Sequence, residues 1–238
     1  MTPPAQPGLL VLCAGAVKSA ATAAAEGFGQ AGDAAPAFDF GTAGGLGKRV
    51  AAGEAADVLI ASRGVLDALA ATGAVLPDTV THLGSVGVGI AVRVDAPAPD
   101  ISSPPLLRQA LLTARSIACS DASTGDSSGQ HFAWVLEQLG ITDAVADRRV
   151  LARLGLEVAE QVARGAAELG ATQASVILGC PGVRLAGLLP AELQHTTVYA
   201  AGIPRQNAAP EAARAFLAHL GTPAGRAVFR AAGFAAPE

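Results

Sequence analysis

The sequence predicts an α/β protein, and three observations predict it. Short apolar, strand-like runs alternate with amphipathic helical stretches from one end of the chain to the other. Apolar residues make up 51% of the chain but aromatic ones only 4%, with alanine and glycine abundant. That composition suits thin, closely packed α/β layers better than an aromatic-rich sandwich. Residues 38–62, FDFGTAGGLGKRVAAGEAADVLIAS, then show the repeating unit in full: strand, tight glycine turn, helix, strand.

In that stretch Phe38, Asp39 and Phe40 alternate apolar and polar, as a short strand does. Gly41, Thr42, Ala43, Gly44 and Gly45 let the backbone turn sharply. Leu46, Val50 and Ala51 recur at helical spacing, with Lys48, Arg49 and Glu54 on the wet side. A β-rich run, 56–61, ends in Ser62. A helix opening on a glycine-rich turn presents backbone N–H groups and a positive dipole end, so the turn reads as an anion seat. It also reads as an ordinary tight βαβ bend, and the residues alone leave both open.

The remaining elements follow in order. Residues 9–13 make a buried first strand, with a small-residue turn at 14–16 and a helix over 17–26. A helix is expected over 64–72 and a long strand over 83–94. The proline-rich segment 95–105 marks a plausible new unit. Helix 106–114, strand 116–120 and helix 127–139, ended by Gly140, come next. Strands are expected over 150–154, 169–173, 184–188 and 196–203, and helices over 158–167, 210–220 and 223–232. Strands alternating with helices argue for parallel sheets.

With 238 residues the chain builds one large domain or two small ones. Its formal net charge is −4, without blocks of like charge or a basic stripe interleaved with aromatics, which argues against a nucleic-acid partner. Cys13, Cys119 and Cys180 are widely spaced without CxxC, so Cys13 and Cys119 read as small buried hydrophobes. No run approaches the ~18 apolar residues of a membrane span. The N-terminal residues lack a basic signal-peptide region, so the expected compartment is the cytoplasm, or the periplasm if a leader was removed.

Several motifs match only by spelling. GFGQAG at 27–32 has the GxGxxG form but follows a helix rather than a strand, which fails the dinucleotide test. GTAGGLGK misses the P-loop at Thr42 and Arg49. Gly125 to Gly129 spells GxSxG, yet the preceding strand is expected to end near Ser120, too early for a nucleophile elbow. A glycine-and-serine nest for an anion accounts for the same residues. Scattered histidines and the absence of HExxH or paired CxxC leave no metal site, and no cofactor is called for.

In open α/β sheets ligands sit beyond the carboxyl ends of strands. Small or hydroxylated residues mark three such ends, at 14–18, 41–45 and 120–129. Together with AGAVKSA at 14–20, FGTAGGL at 40–46, GEAADVLIAS at 53–62, VARGAAELGATQ at 162–173 and the tail from Leu189, they resemble the molybdate-binding-protein-like branch of the type II periplasmic-binding-protein fold. The resemblance runs over nearly the whole chain. It implies two α/β lobes, 1–85 plus 195–238 and 86–194, joined by crossover strands with a ligand cleft between them. It also implies ligand contacts from Ala16, Val17, Thr42, Ala43, Arg63, Ser123, Thr124, Ser128, Gly129, Gly155, Gln173 and Tyr199.

Departures from that family narrow the ligand. Ala16 stands where oxyanion binders usually carry serine, Ala43 follows the surviving hydroxyl of Thr42, and Thr172-Gln173 replaces a tyrosine. A tetrahedral oxyanion needs many donors to offset its desolvation, so a small carboxylate fits better. Some members of the superfamily are enzymes, aconitate isomerase among them. By that analogy the expected function is allylic proton transfer on an unsaturated carboxylate, with His131 as base and Lys18 as carboxylate partner or second base. The other expectation is a non-catalytic binding protein for a small anion, serving an ABC transporter or a sensor.

Overall fold

The computed structural model describes residues 8–30 and 35–236. Two compact units make up the chain, Met1–Gly84 with Val198–Glu238, and Ser85–Thr197. The chain passes from the first to the second inside one long strand and returns inside another, so the proline-rich segment 95–105 is not the boundary.

Unit 1 carries β1 (Leu10–Ala14), α1 (Lys18–Gln30), β2 (Ala37–Gly41), α2 (Ala43–Ala51), β3 (Val58–Ser62) and α3 (Arg63–Ala71). After the start of β4 (Thr81–Arg93), unit 1 resumes in the last strand of the chain and two closing helices. β1 lies between β2 and β3 and pairs with both in parallel. The GFGQAG motif begins inside the last turns of α1, whereas a position after the helix was expected. Its Ala31 and Gly32 lie outside the described residues.

Buried Val11, Leu12, Leu59, Ile60 and Leu66 form much of the unit's interior, which explains the short all-apolar runs at β1 and β3. Asp57 sits at the foot of β3, only 5% exposed. Its Oδ2 accepts from Leu10 N at 2.8 Å, and its Oδ1 from Ala208 N and Ala209 N at 2.9 Å each. One carboxylate thus ties the start of β1 to the chain entering α8 (Pro210–Leu220).

Unit 2 continues β4 and adds α4 (Pro104–Thr113), β5 (Ile117–Ser120), α5 (Ser127–Gln138), β6 (Arg149–Ala152), α6 (Gly155–Ala163), β7 (Leu169–Gln173), α7 (Ala174–Leu178) and β8 (Val183–Leu188). α7 has no counterpart in the sequence reading, because five residues are too few to show a helical period. β5 pairs in parallel with β6 and β7, while β4 runs antiparallel to both β7 and β8. β9 (Thr196–Gly202) is antiparallel to β3. The sheets are therefore mixed rather than all parallel, as strands that cross between units enter from the opposite end.

The alternation along β4 divides unit 2's core. Val88, Ile90 and Val92 pack with Leu107, Leu111, Phe132 and Val135 on one face. Ala91 packs with Ala118, Val158 and Val162 on the other. Small residues on that second face let α6 lie close to the sheet, which is what a 4%-aromatic composition can build. Unit 1 closes with α8 and α9 (Pro223–Ala231). Among the described residues no helix is long and apolar enough to cross a membrane.

Candidate functional site

The predicted residues of unit 2 follow the carboxyl ends of β5, β6 and β7, and three of them, Ser128, Gly129 and Gly155, meet around Asp126. Beyond Ser120 the chain makes one 3-10 turn, Ala122–Thr124, turns at Gly125 (φ +80°) and enters α5. Asp126 caps that helix, its Oδ1 accepting from Gly129 N at 2.9 Å and from Ser128 Oγ at 2.5 Å. Its Oδ2 accepts from Gly155 N at 3.2 Å, the first residue of α6. A single side chain therefore serves the N-termini of two helices, where free N–H groups and helix dipoles favour negative charge.

This convergence needs glycine at two positions. A Cβ on Gly129 would come within 2.7 Å of Ser120 O, and one on Gly155 within 2.5 Å of Thr172 Oγ1. Thr172 Oγ1 lies 3.5 Å from Ser128 Oγ and donates to Gly155 O at 3.4 Å. Ser128, Gly129 and Gly155 are thus gathered in one place, but the nest expected for an outside anion already holds Asp126. Asp126 and Thr172 are the two members of the cluster that sequence reading missed. The signal for Asp126 was present: aspartate directly before a helix is a preferred cap.

Replacing Asp126 by alanine removes one helix cap, frees a second N-terminus and takes away the shorter of the two contacts of the buried Ser128 hydroxyl. We expect a loss of about 2–3 kcal/mol, or on the order of 5–10 °C in Tm for a chain of this size. Thermal denaturation of the variant checks this, and an unchanged Tm would rule out the double-capping role.

Ser123 and Thr124 turn towards Asp121. Ser123 is exposed, its N donating to Asp121 Oδ1 at 2.9 Å, while Thr124 Oγ1 donates to Asp121 O at 2.8 Å. Gln173, 2% exposed, ends β7. Its amide is best satisfied with the nitrogen donating to Val86 O and Gly87 O, at 3.2 and 3.1 Å, and the oxygen accepting from Thr197 Oγ1 at 3.1 Å. Those carbonyls accept only, so the opposite orientation would oppose like dipoles. The Gln173 side chain holds strands together in this arrangement.

His131 lies one turn into α5. Its Nε2 is 2.7 Å from Leu193 O, and its ring stacks on Trp134 with centroids 5.3 Å apart. The His195 ring is 5.4 Å away. A carbonyl only accepts, so Nε2 carries the proton and, in the neutral ring, Nδ1 holds the lone pair. Ser128 and His131 were expected to share a face, but their contacts diverge, to Thr172 and to Leu193 respectively.

Burial lowers the His131 pKa from its ordinary value, His195 adds to the lowering and the Leu193 carbonyl works against it. Because the unfolded ring binds its proton near 6.5 and the folded ring below that, the unfolded state holds more protons in between. Stability conferred at neutral pH is therefore lost as pH falls through about 6.5. Urea midpoints measured on either side of this window should drop at the acid end, and less so in His131→Gln; an equal drop in both proteins would contradict the assignment.

In unit 1 the predicted residues sit at three strand ends. Ala16 and fully buried Val17 belong to the 3-10 turn Gly15–Val17 after β1. Lys18 opens α1, exposed, with Nζ 5.3 Å from the centroid of the Phe40 ring. Thr42 caps α2, Oγ1 accepting from Gly45 N at 3.0 Å, and Ala43 is buried behind it. The hydroxyl expected to face an anion is thus shared with the helix it precedes.

Arg63 opens α3 and its Nε donates to Asp67 Oδ1 at 2.6 Å. Tyr199 is 1% exposed in β9, its ring 6.0 Å from that of Phe234, so its side chain belongs to the core rather than to a ligand surface. His219, expected in solvent, docks on α1 with Nε2 3.0 Å from Ala24 O. Among the described residues no group of three or more His, Cys, Asp or Glu is placed to hold a metal ion.

Residues 9–235 match the sequence profile of the bacterial extracellular solute-binding proteins. The chain belongs to that family. Its structure superposes on the Azotobacter vinelandii periplasmic molybdate-binding protein with a TM-score of 0.80 and 22% identity, over 97% of this chain and 100% of the other. L-phospholactate-bound PEB3 is similar at a TM-score of 0.68 and 12% identity, over 96% of this chain and 100% of PEB3. The fold of this solute-binding family member is therefore the type II periplasmic-binding-protein fold in its molybdate-binding-protein-like form. A further relative, aconitate isomerase from Pseudomonas sp., is 35% identical over 176 residues, 72% of this chain. The match spans 64% of that relative's length.

Proposed function

We propose that this chain binds a small unsaturated polycarboxylate and isomerises it by allylic proton transfer. The observation that carries the reading is the 35% identity to aconitate isomerase across 72% of the chain, well above the identity to the two binding proteins compared. In such a reaction a base takes a proton from the methylene carbon, the double bond moves one carbon along, and the proton returns to the former vinyl carbon. The substrate's atoms are conserved, and cis and trans isomers interconvert through the shared allylic anion.

His131 suits the base. Its ring is held neutral by burial and its Nε2–H is committed to Leu193, which leaves Nδ1 to accept a proton and give it back. Lys18 and Arg63 offer positive charge for carboxylates.

A second reading, favoured by the family match, is a non-catalytic binding protein for the same class of anion, delivering it to an ABC transporter or reporting it to a sensor. Incubation with trans-aconitate, followed by chromatographic separation of the isomers, distinguishes the two. Approach to one cis/trans ratio from either pure isomer supports the isomerase. Saturable binding with an unchanged ratio supports the carrier.

A further inference from the structure

β2 stands at the edge of its sheet, with β1 as its one neighbour among the described residues. Residues two apart on a strand share a face. Phe38 and Phe40 accordingly stack, their ring centroids 5.5 Å apart and their planes 3° from parallel, both half-buried. Asp39 between them belongs to the opposite face, where Arg49 Nη2 donates to its Oδ2 at 2.6 Å. The Phe40 ring is thus held flat against Phe38.

The parallel register sets Phe40 beside Cys13 and Gly41 beside Ala14. From Ala14 the chain takes the 3-10 turn Gly15–Val17 and opens α1 with Lys18. The end of β2 and the start of α1 therefore meet, and Lys18 Nζ stands over the Phe40 ring, 5.3 Å from its centroid. Within about 6 Å an ammonium is drawn to the negative face of an aromatic ring.

The kind of partner matters for an anion site. Arg63 donates to Asp67, and Arg49 bridges Asp39 and Glu54, so carboxylates of the protein already balance both guanidiniums. Lys18 differs. Among the described residues no carboxylate pairs with it, and the group beneath its ammonium is uncharged. A ring face steadies the ammonium without cancelling its charge, and its three donors leave room for a ligand as well. An unrestrained lysine gives up rotamer entropy when it binds an anion; one already resting on a ring gives up less.

We propose that Phe40 is a positioning residue: its ring, stacked on Phe38, holds the Lys18 ammonium at the start of α1 so that the full charge meets a substrate carboxylate. That carboxylate belongs to the polycarboxylate proposed above, so the role rests on the isomerase reading. Phe40 acts on binding and leaves proton transfer to His131.

Two measurements on the full chain test this. In ¹H–¹³C spectra of the ligand-free protein, the Lys18 Hε signals should lie upfield of those of an ordinary exposed lysine, because the ring current shields protons above the ring. They should move downfield in Phe40→Leu and stay in place in Phe40→Tyr. Kinetics with trans-aconitate should show KM raised about 2–5-fold in Phe40→Leu, the equivalent of one exposed cation–π contact, with a smaller change in kcat. Phe40→Tyr should restore KM. Lys18→Met should raise KM about tenfold or more, as for a lost charge-assisted hydrogen bond, and adding Phe40→Leu to it should change nothing further. Lys18 signals at ordinary positions and insensitive to Phe40→Leu would overturn the proposal. So would a KM increase from Phe40→Leu that persists in the Lys18→Met protein. Should the parent protein bind trans-aconitate without turning it over, the isomerase reading alone fails, and the same comparisons read on Kd decide the role of Phe40.

Discussion

His131→Asn should slow aconitate isomerisation by about 10²–10⁴-fold, the range a general base contributes, with a much smaller change in KM. Asparagine has no basic nitrogen and is too short to keep the Leu193 contact made by Nε2, so the Tm measured beside the rate separates lost proton transfer from lost stability. Steady-state rates with trans-aconitate, beside a Tm measured for each protein, give the comparison. Retention of near-native kcat in a folded His131→Asn protein would remove His131 from the chemistry. Lys18→Ala is the informative partner. An exposed lysine acting as a carboxylate contact should raise KM more than it lowers kcat.

The largest stability loss should come from Asp57→Ala. Three backbone N–H groups, of Leu10, Ala208 and Ala209, converge on that buried carboxylate. Alanine leaves all three without an acceptor, which we expect to cost about 3–5 kcal/mol and to lower Tm on the order of 10 °C. Asp57→Asn should recover part of this, since its one remaining oxygen can still accept. A urea midpoint for Asp57→Ala within error of the parent protein would show that water replaces the carboxylate and that the contact carries little.

These two residues also mark what the sequence could and could not disclose. The order of strands and helices was legible because each element carries its own periodicity, and β7, α5 and α8 fall within a residue of their expected bounds. The strand directions were not legible. Alternation of strands and helices specifies parallel neighbours, but β4 and β9 reverse direction through pairings at least 79 residues apart, and no local pattern encodes that. α7 was missed for its shortness.

At the candidate site the residue types were legible and their partners were not. Gly125 to Gly129 reads equally well as an anion nest or as a capped helix start. Only the approach of α6 shows that Asp126 fills the seat. Gln173 and Tyr199 were expected as ligand contacts from the resemblance, yet both side chains are buried in the protein interior. Asp57 was passed over inside a β-rich run, because a lone aspartate there gives no hint that three donors will meet it.

The proposed isomerisation requires an allylic proton to leave and return, and proton NMR in D₂O observes that step itself. With cis- or trans-aconitate as substrate, catalytic amounts of the protein should exchange deuterium into the methylene carbon while the isomers interconvert, and His131→Asn should suppress both together. Line broadening that reports binding, with neither exchange nor interconversion over many hours, would contradict the isomerase and leave a carrier of small carboxylates.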